Sequence, residues 1–207
     1  MKNIIALCAL CAFLFLAAAP AQSTQYGPYL GAFIGGSWMT DADVKNTPPP
    51  APTVEFDSGY ALGVSAGYAF MFARIEAELA YQKNDMDRVI QPGSPPLAAS
   101  GDIKNLSVLL NGYYDFTNHT AITPYVGAGF GLARVEVDNI VRPGQVVLGD
   151  KDTVFAYQVG AGVAFALSDE ITLDLKYRFY GTPDVKLRTE KIENRSHNIL
   201  LGVRYSF

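Results

Sequence analysis

Few residues in this 207-residue chain have the types and spacing to do chemistry. Two histidines, His119 and His197, stand far apart, and Cys8 and Cys11 both lie in an apolar N-terminal run. Hydrolysis by an activated serine needs a nearby histidine and an orienting carboxylate. Ser196 precedes His197, but adjacent strand residues point to opposite faces. No Cys/His spacing suits a transition metal. The pairs Asp41/Asp43 and Asp150/Asp152 could hold a weak cation, although solvated loop charge is the simpler reading of them. The glycine-rich runs contain no phosphate-binding sequence. More distinctive are charges spaced by two: Arg74, Glu76 and Glu78, then Asp174, Lys176 and Arg178, with Arg204 further on. A spacing of two places such groups on one face of a strand. What they do depends on what that face meets.

Composition bounds the answer. Hydrophobic residues make up 49% and charged residues 17%, and mean hydropathy is +0.12. Disorder is excluded, since it requires low hydrophobicity and high net charge. Sixteen basic against 20 acidic residues argue against a nucleic-acid partner. No internal stretch approaches the ~20 apolar residues of a spanning helix. Met1–Lys2, the apolar run to Ala19 and Ala19-Pro20-Ala21 read as a secretory signal peptide over 1–21, leaving a mature domain over 22–207 without cysteine.

Beyond residue 22 hydrophobicity alternates with period two. The strands fall near 26–38, 56–70, 73–83, 102–116, 121–136, 152–167, 171–182 and 193–207. Gly followed by bulky residues at +3 and +5 recurs at Gly67/Phe70/Phe72, Gly162/Phe165/Leu167 and Gly202/Tyr205/Phe207. The pattern P-Y-x-G-A-x-x-G occurs at Pro28–Gly35 and again at Pro124–Gly131. Connections alternate between short ones and long polar ones over 39–55, 84–101, 137–151 and 183–192. The bulky face (Tyr68, Phe70, Phe130, Phe165, Tyr177, Phe179, Tyr205, Phe207) cannot fit inside eight strands. The opposite face is rich in glycine. The apolar face must therefore point outward, which is the arrangement of a transmembrane barrel. The fold class is all-β: an eight-stranded antiparallel up-and-down transmembrane β-barrel. Phe70, Phe72, Tyr114, Phe116, Phe165 and Phe207, at strand ends, would form an aromatic girdle.

The N-terminal segment, the Pro124–Gly131 run, the alternating connections and the terminal Leu201-Gly-Val-Arg-Tyr-Ser-Phe207 together resemble the outer-membrane β-barrel family. That group includes the OmpA membrane domain, OmpX-like and opacity-type surface proteins of Gram-negative bacteria. The resemblance implies an outer-membrane location among lipid and lipopolysaccharide, and no cofactor. It also implies recognition of Leu201, Val203, Tyr205 and Phe207 by the barrel assembly machinery. The last expected strand runs to Phe207, so no cell-wall-binding domain like that of full-length OmpA is expected. Some eight-stranded barrels of this kind cleave or transfer lipid acyl chains, but the Arg195-Ser196-His197-Asn198 run does not resemble their signature, and no enzyme is expected.

About 16 Å of backbone diameter follows from eight strands at ~40° tilt. The third and seventh strands then oppose each other. Glu76 and Glu78 should face Lys176 and Arg178, with Arg74, Asp174 and Arg204 nearer the periplasmic end. Two functions fit: a structural and surface-interaction protein whose four long loops meet a host or matrix surface, or a small porin with a narrow, charge-plugged lumen.

Overall fold

The computed structural model describes the backbone of residues 26–40, 42–43, 53–56, 58–90, 97–118, 120–142, 145–147, 150–187 and 190–207, and the side chains of 26–40, 58–85, 102–118, 120–136, 151–182 and 195–207. The expected signal segment 1–21 and His119 lie outside the described residues.

The strands are β1 (Gly27–Met39), β2 (Ala42–Asp43), β3 (Thr53–Phe56), β4 (Ser58–Ala69), β5 (Ala73–Ile90), β6 (Leu97–Asp115), β7 (Ile122–Arg142), β8 (Gln145–Val147), β9 (Asp150–Ala166), β10 (Ile171–Leu187) and β11 (Glu190–Ser206). Eight of them, β1, β4, β5, β6, β7, β9, β10 and β11, pair antiparallel with their chain neighbours, and β11 pairs with β1 to close the ring. Closure leaves no sheet edge, so every ladder group can be satisfied without water. The small strands β2–β3 extend the free end of β5, and β8 pairs with β7.

Register fixes the tilt. The partner path Trp38–His197–Phe179–Val159–Ala128–Gly112–Ile75–Tyr68 ends on Pro28, ten residues below its start on β1. That stagger over eight strands corresponds to a tilt of roughly 40°. It puts Trp38 level with Tyr60, Tyr81, Phe155 and Arg195 rather than with its direct partners.

Short turns close one end of the barrel. Asn118 shapes one of them, accepting from the Thr120 amide (2.8 Å) and donating to the Ile122 carbonyl (2.9 Å). Ser168 shapes another, accepting from the Ile171 amide (3.1 Å). Gly27 opens β1 at φ +120°, a backbone that side chains oppose.

Three hairpins run longer than hydropathy predicts. Much of 84–101, 137–151 and 183–192, expected as loop, is paired strand, because β5, β6, β7, β9, β10 and β11 continue past the apolar belt. Their proline, glycine and charged residues mark these stretches as loop in the sequence.

The outward face is apolar, with Leu30, Ile34, Val64, Leu79, Val108, Leu110, Leu132, Ile199 and Leu201 exposed. Phe70, Phe72, Tyr114, Phe116 and Phe207 stand exposed at the turn end, with Phe165 half-buried beside them. Tyr68 meets Phe70, Tyr114 meets Phe116 and Tyr205 meets Phe207 at 4.9–5.2 Å between ring centres. A second belt at the other end holds Trp38, Tyr60, Tyr81, Phe155, Tyr157 and Phe179. From His197 to Phe207 the tilted strand rises roughly 25 Å, the height of a barrel's apolar band.

Candidate functional site

The inward face packs into a lumen with four layers. At the base, beside the short turns, β5 presents Arg74 to Asp115 of β6 in a forked pair (Nε–Oδ2 2.8 Å, Nη2–Oδ1 2.9 Å). The Arg74 guanidinium also lies 4.6 Å from the ring centres of both Tyr113 and Tyr125, which meet edge to face. Arg204 pairs with Asp174 at 2.6 Å, across the β10–β11 ladder.

The middle layer centres on Glu78, only 1% exposed. Its carboxylate accepts from Arg178 Nη1 (2.9 Å), Asn111 Nδ2 (3.1 Å) and Gln158 Nε2 (3.3 Å), with Lys176 Nζ at 3.5 Å. These donors come from three strands, so Glu78 ties β5 to β6, β9 and β10. Glu76 is placed differently from expectation: it accepts from the hydroxyls of Tyr29 (3.0 Å) and Tyr113 (3.1 Å) rather than from Lys176 or Arg178. Lys176 in turn donates to the Tyr113 hydroxyl (3.3 Å), which links the base to the middle.

Above them Leu109, Ala133, Ala156 and Tyr180 pack together as a buried collar. An uncharged layer follows. Ser37 donates to Asn84 (3.1 Å), and Gln82 donates to Asn84 (3.0 Å) and Ser196 (3.1 Å).

The structure thus brings Arg74, Glu76, Glu78, Asp174, Lys176, Arg178 and Arg204 into one lumen. Asp115, overlooked in the sequence, brings these side chains to four cations and four carboxylates. A charge withdrawn from water is costly unless paired and hydrogen-bonded, which explains the balance. Also overlooked were the amides Asn111 and Gln158 and the inward tyrosines Tyr29, Tyr113 and Tyr125. Their inward phase on β1, β6, β7 and β9 was the available signal.

The glycine-lined wall does not leave open space. A Cβ on Gly67 would lie 2.5 Å from the Tyr29 ring, on Gly63 2.5 Å from Phe33 and on Gly162 2.6 Å from Tyr125, and one on Gly127 would run into the Tyr113 ring. Each glycine seats a ring from the neighbouring strand. Among the described residues, cavities of about 30 Å³ between Glu76, Lys176 and Arg204 and about 80 Å³ at the base beside Arg74 and Asp115 are present. The first has room for about one water molecule.

His197 faces outward, as alternation predicts. Its Nδ1 lies 2.7 Å from the Tyr177 hydroxyl, and its ring packs on Phe179. Ser196 points into the lumen, bonded to Gln82. Among the described residues no group of three His, Cys, Asp or Glu side chains could hold a metal ion.

Residues 7–207 match the family described as outer membrane protein beta-barrel domain. The outer membrane protein PagN of Salmonella typhimurium is 27% identical over the whole of both chains. A candidate adhesin of Rickettsia conorii is 24% identical over 73% of this chain and 69% of its own length. Among solved structures, Neisserial surface protein A superposes with a TM-score of 0.59 at 25% identity, covering 87% of this chain and 97% of that one. OprG of Pseudomonas aeruginosa shares the fold at a TM-score of 0.56 and 15% identity, covering 90% and 99%. The chain belongs to the outer-membrane β-barrel domain family.

Proposed function

We propose that this integral outer-membrane barrel is a sealed anchor that holds its extracellular hairpins for contact with a host or matrix surface, and that it neither conducts nor catalyses. The filled lumen carries the reading. Side chains of all eight barrel strands occupy it, and the cavity at its charged centre holds about one water. Water-filled channels generally need about 16 strands. With the interior occupied, the available surface is outside. There the described ends of β5, β6, β7, β9, β10 and β11 continue beyond the upper aromatic belt toward the segments 84–101, 137–151 and 183–192 expected as loops, with 39–55 as the fourth candidate. Binding residues concentrate on loops held by rigid scaffolds. The candidate adhesin among the relatives supports the same direction. In this reading residues 1–21 direct export and are removed, Leu201, Val203, Tyr205 and Phe207 address the chain to the barrel assembly machinery, and the lumen charges serve to order the barrel.

The test replaces residues 86–101, 138–149 and 183–193 by two-residue turns and measures adhesion of cells displaying the barrel. The heat-dependent gel shift verifies folding. Adhesion of the parent and loss in the trimmed barrel is the expected result; full adhesion by the trimmed, folded barrel contradicts the proposal.

A further inference from the structure

The repeat P-Y-x-G-A-x-x-G, at Pro28–Gly35 and Pro124–Gly131, falls on β1 and β7, which stand on opposite sides of the ring. Each copy opens a run of four barrel strands: β1, β4, β5 and β6 in one half, β7, β9, β10 and β11 in the other. The ladders match the halves residue by residue. In the first, Tyr29 pairs with Gly67, Gly67 with Glu76 and Glu76 with Asn111. In the second, Tyr125 pairs with Gly162, Gly162 with Lys176 and Lys176 with Leu200. Tyr29 thus corresponds to Tyr125, Gly67 to Gly162 and Glu76 to Lys176, and both tyrosine rings lie on their glycines.

Each of the eight charges in the cluster then has a counterpart of opposite sign. Glu76 corresponds to Lys176. Two residues to either side on β5 and β10, Arg74 corresponds to Asp174 and Glu78 to Arg178. Four residues beyond Asn111 and Leu200, Asp115 corresponds to Arg204. The first half carries one cation and three carboxylates, the second three cations and one carboxylate. The inversion includes the pairs at the base. Arg74–Asp115 runs from cation to carboxylate along the chain, and Asp174–Arg204 runs from carboxylate to cation. These two pairs feel each other. Arg74, Asp174 and Arg204 border one cavity of about 30 Å³, and Asp174 acts electrostatically on Arg74 across it. Neutrality of the lumen demands only equal totals of each sign. It does not demand that every position oppose its counterpart.

We propose that the inverted pattern is a recognition surface whose partner is the other half of the same chain. The inner wall of β5–β6 fits that of β10–β11 and repels a copy of itself. Glu78 meets Arg178 at 2.9 Å across the lumen. With two first halves in one ring, Glu76 and Glu78 would face a second Glu76 and Glu78. With two second halves, Lys176 and Arg178 would face their own kind. Like charges in a space withdrawn from water repel far more strongly than in solution. The backbone does not make this choice, since both halves share one register around the same tyrosines and glycines. The charges select unlike halves as the ring closes, where another chain of this sequence offers a like half as competitor.

The test turns one base pair around and leaves the pair itself intact. R74D/D115R gives the first half the arrangement of the second, which Asp174 and Arg204 already make at the corresponding positions. A carboxylate at position 74 then faces Asp174. The folding equilibrium, read in detergent from urea titrations of the heat-shifted band, should fall about tenfold or more from the like charges brought together. In R74D/D115R/D174R/R204D both pairs are turned and the halves are unlike again. Its folding equilibrium should return to within about threefold of the parent. Parent-like folding of R74D/D115R overturns the proposal, because intact local pairs are then sufficient. A four-residue variant no more stable than R74D/D115R also overturns it, because the loss then lies in packing at the substituted positions and not in the likeness of the halves.

Discussion

Glu78 and Lys83 stand five residues apart on β5 and live under different physics. Glu78 faces inward, its side chain fully covered, and four donors from other strands converge on it. Lys83 faces outward, 28% exposed, with Asp85 and Asp102 beside it. Both make ion pairs. The inner pair sits where an unpaired charge cannot be solvated, so it dictates which side chains must surround it. The outer pair can exchange partners with water, salt or lipid at little cost. Charge of the first kind specifies architecture; charge of the second kind is free to meet something else.

The largest expected effect breaks the inner side. Glu78→Ala strands Arg178 and Lys176 in the lumen and should destabilise the barrel by about 3–5 kcal/mol, read from urea unfolding in detergent. Added salt should not narrow the gap, because buried pairs are poorly screened.

Glycine on the two faces gives the next contrast. Gly127→Ala pushes a methyl against Tyr113, whose ring is held by Arg74 on one side and whose hydroxyl binds Glu76. Overpacking there should cost about 1–3 kcal/mol in the same unfolding assay. Gly112 faces outward, with nothing within 4 Å of an added Cβ. Gly112→Ala should stabilise by about 0.4–1 kcal/mol through the unfolded chain. If both substitutions behave alike, the assignment of faces is wrong.

These two glycines also mark what was legible in the sequence. Alternation alone gave the strand count, the faces and the placement of Glu78, Lys176, Arg178, Asp174 and Arg204, since period two converts position directly into side. It could not give Asp115 as the partner of Arg74, because that pair depends on register between two strands. Nor could it show Tyr29 and Tyr113 as ligands of Glu76. Inward aromatics look like a violation of the pattern until the glycines that seat them, Gly67 and Gly127, are placed opposite. The hairpin extensions stayed hidden for a different reason: their proline, glycine and charged residues read as loop.

The smallest effects belong to the rim. Lys104→Gln with Arg134→Gln should leave unfolding within about 0.5 kcal/mol of the parent. Asp102 is held below its ordinary range chiefly by the hydrogen bond from Lys83, and Lys83 is raised by the same bond. A lowered carboxylate contributes its stabilisation above its unfolded value, about 3.9, and loses it as pH falls through the lowered folded value. Stability curves of the parent and Asp102→Asn should therefore run parallel from pH 5 to 8 and converge only below about pH 4. A difference between them that grows above pH 5 would show that the rim is not the loosely held layer described.

The central claim is that the lumen is closed by its own side chains, so that function lies on the outside of the barrel. Planar-bilayer recording of the refolded chain tests it most directly. A barrel that shows the heat-dependent gel shift yet passes no discrete current is the predicted result. Reproducible single-channel steps from the same folded barrel, abolished or rescaled in Glu78→Gln, would contradict it and make the lumen the functional site.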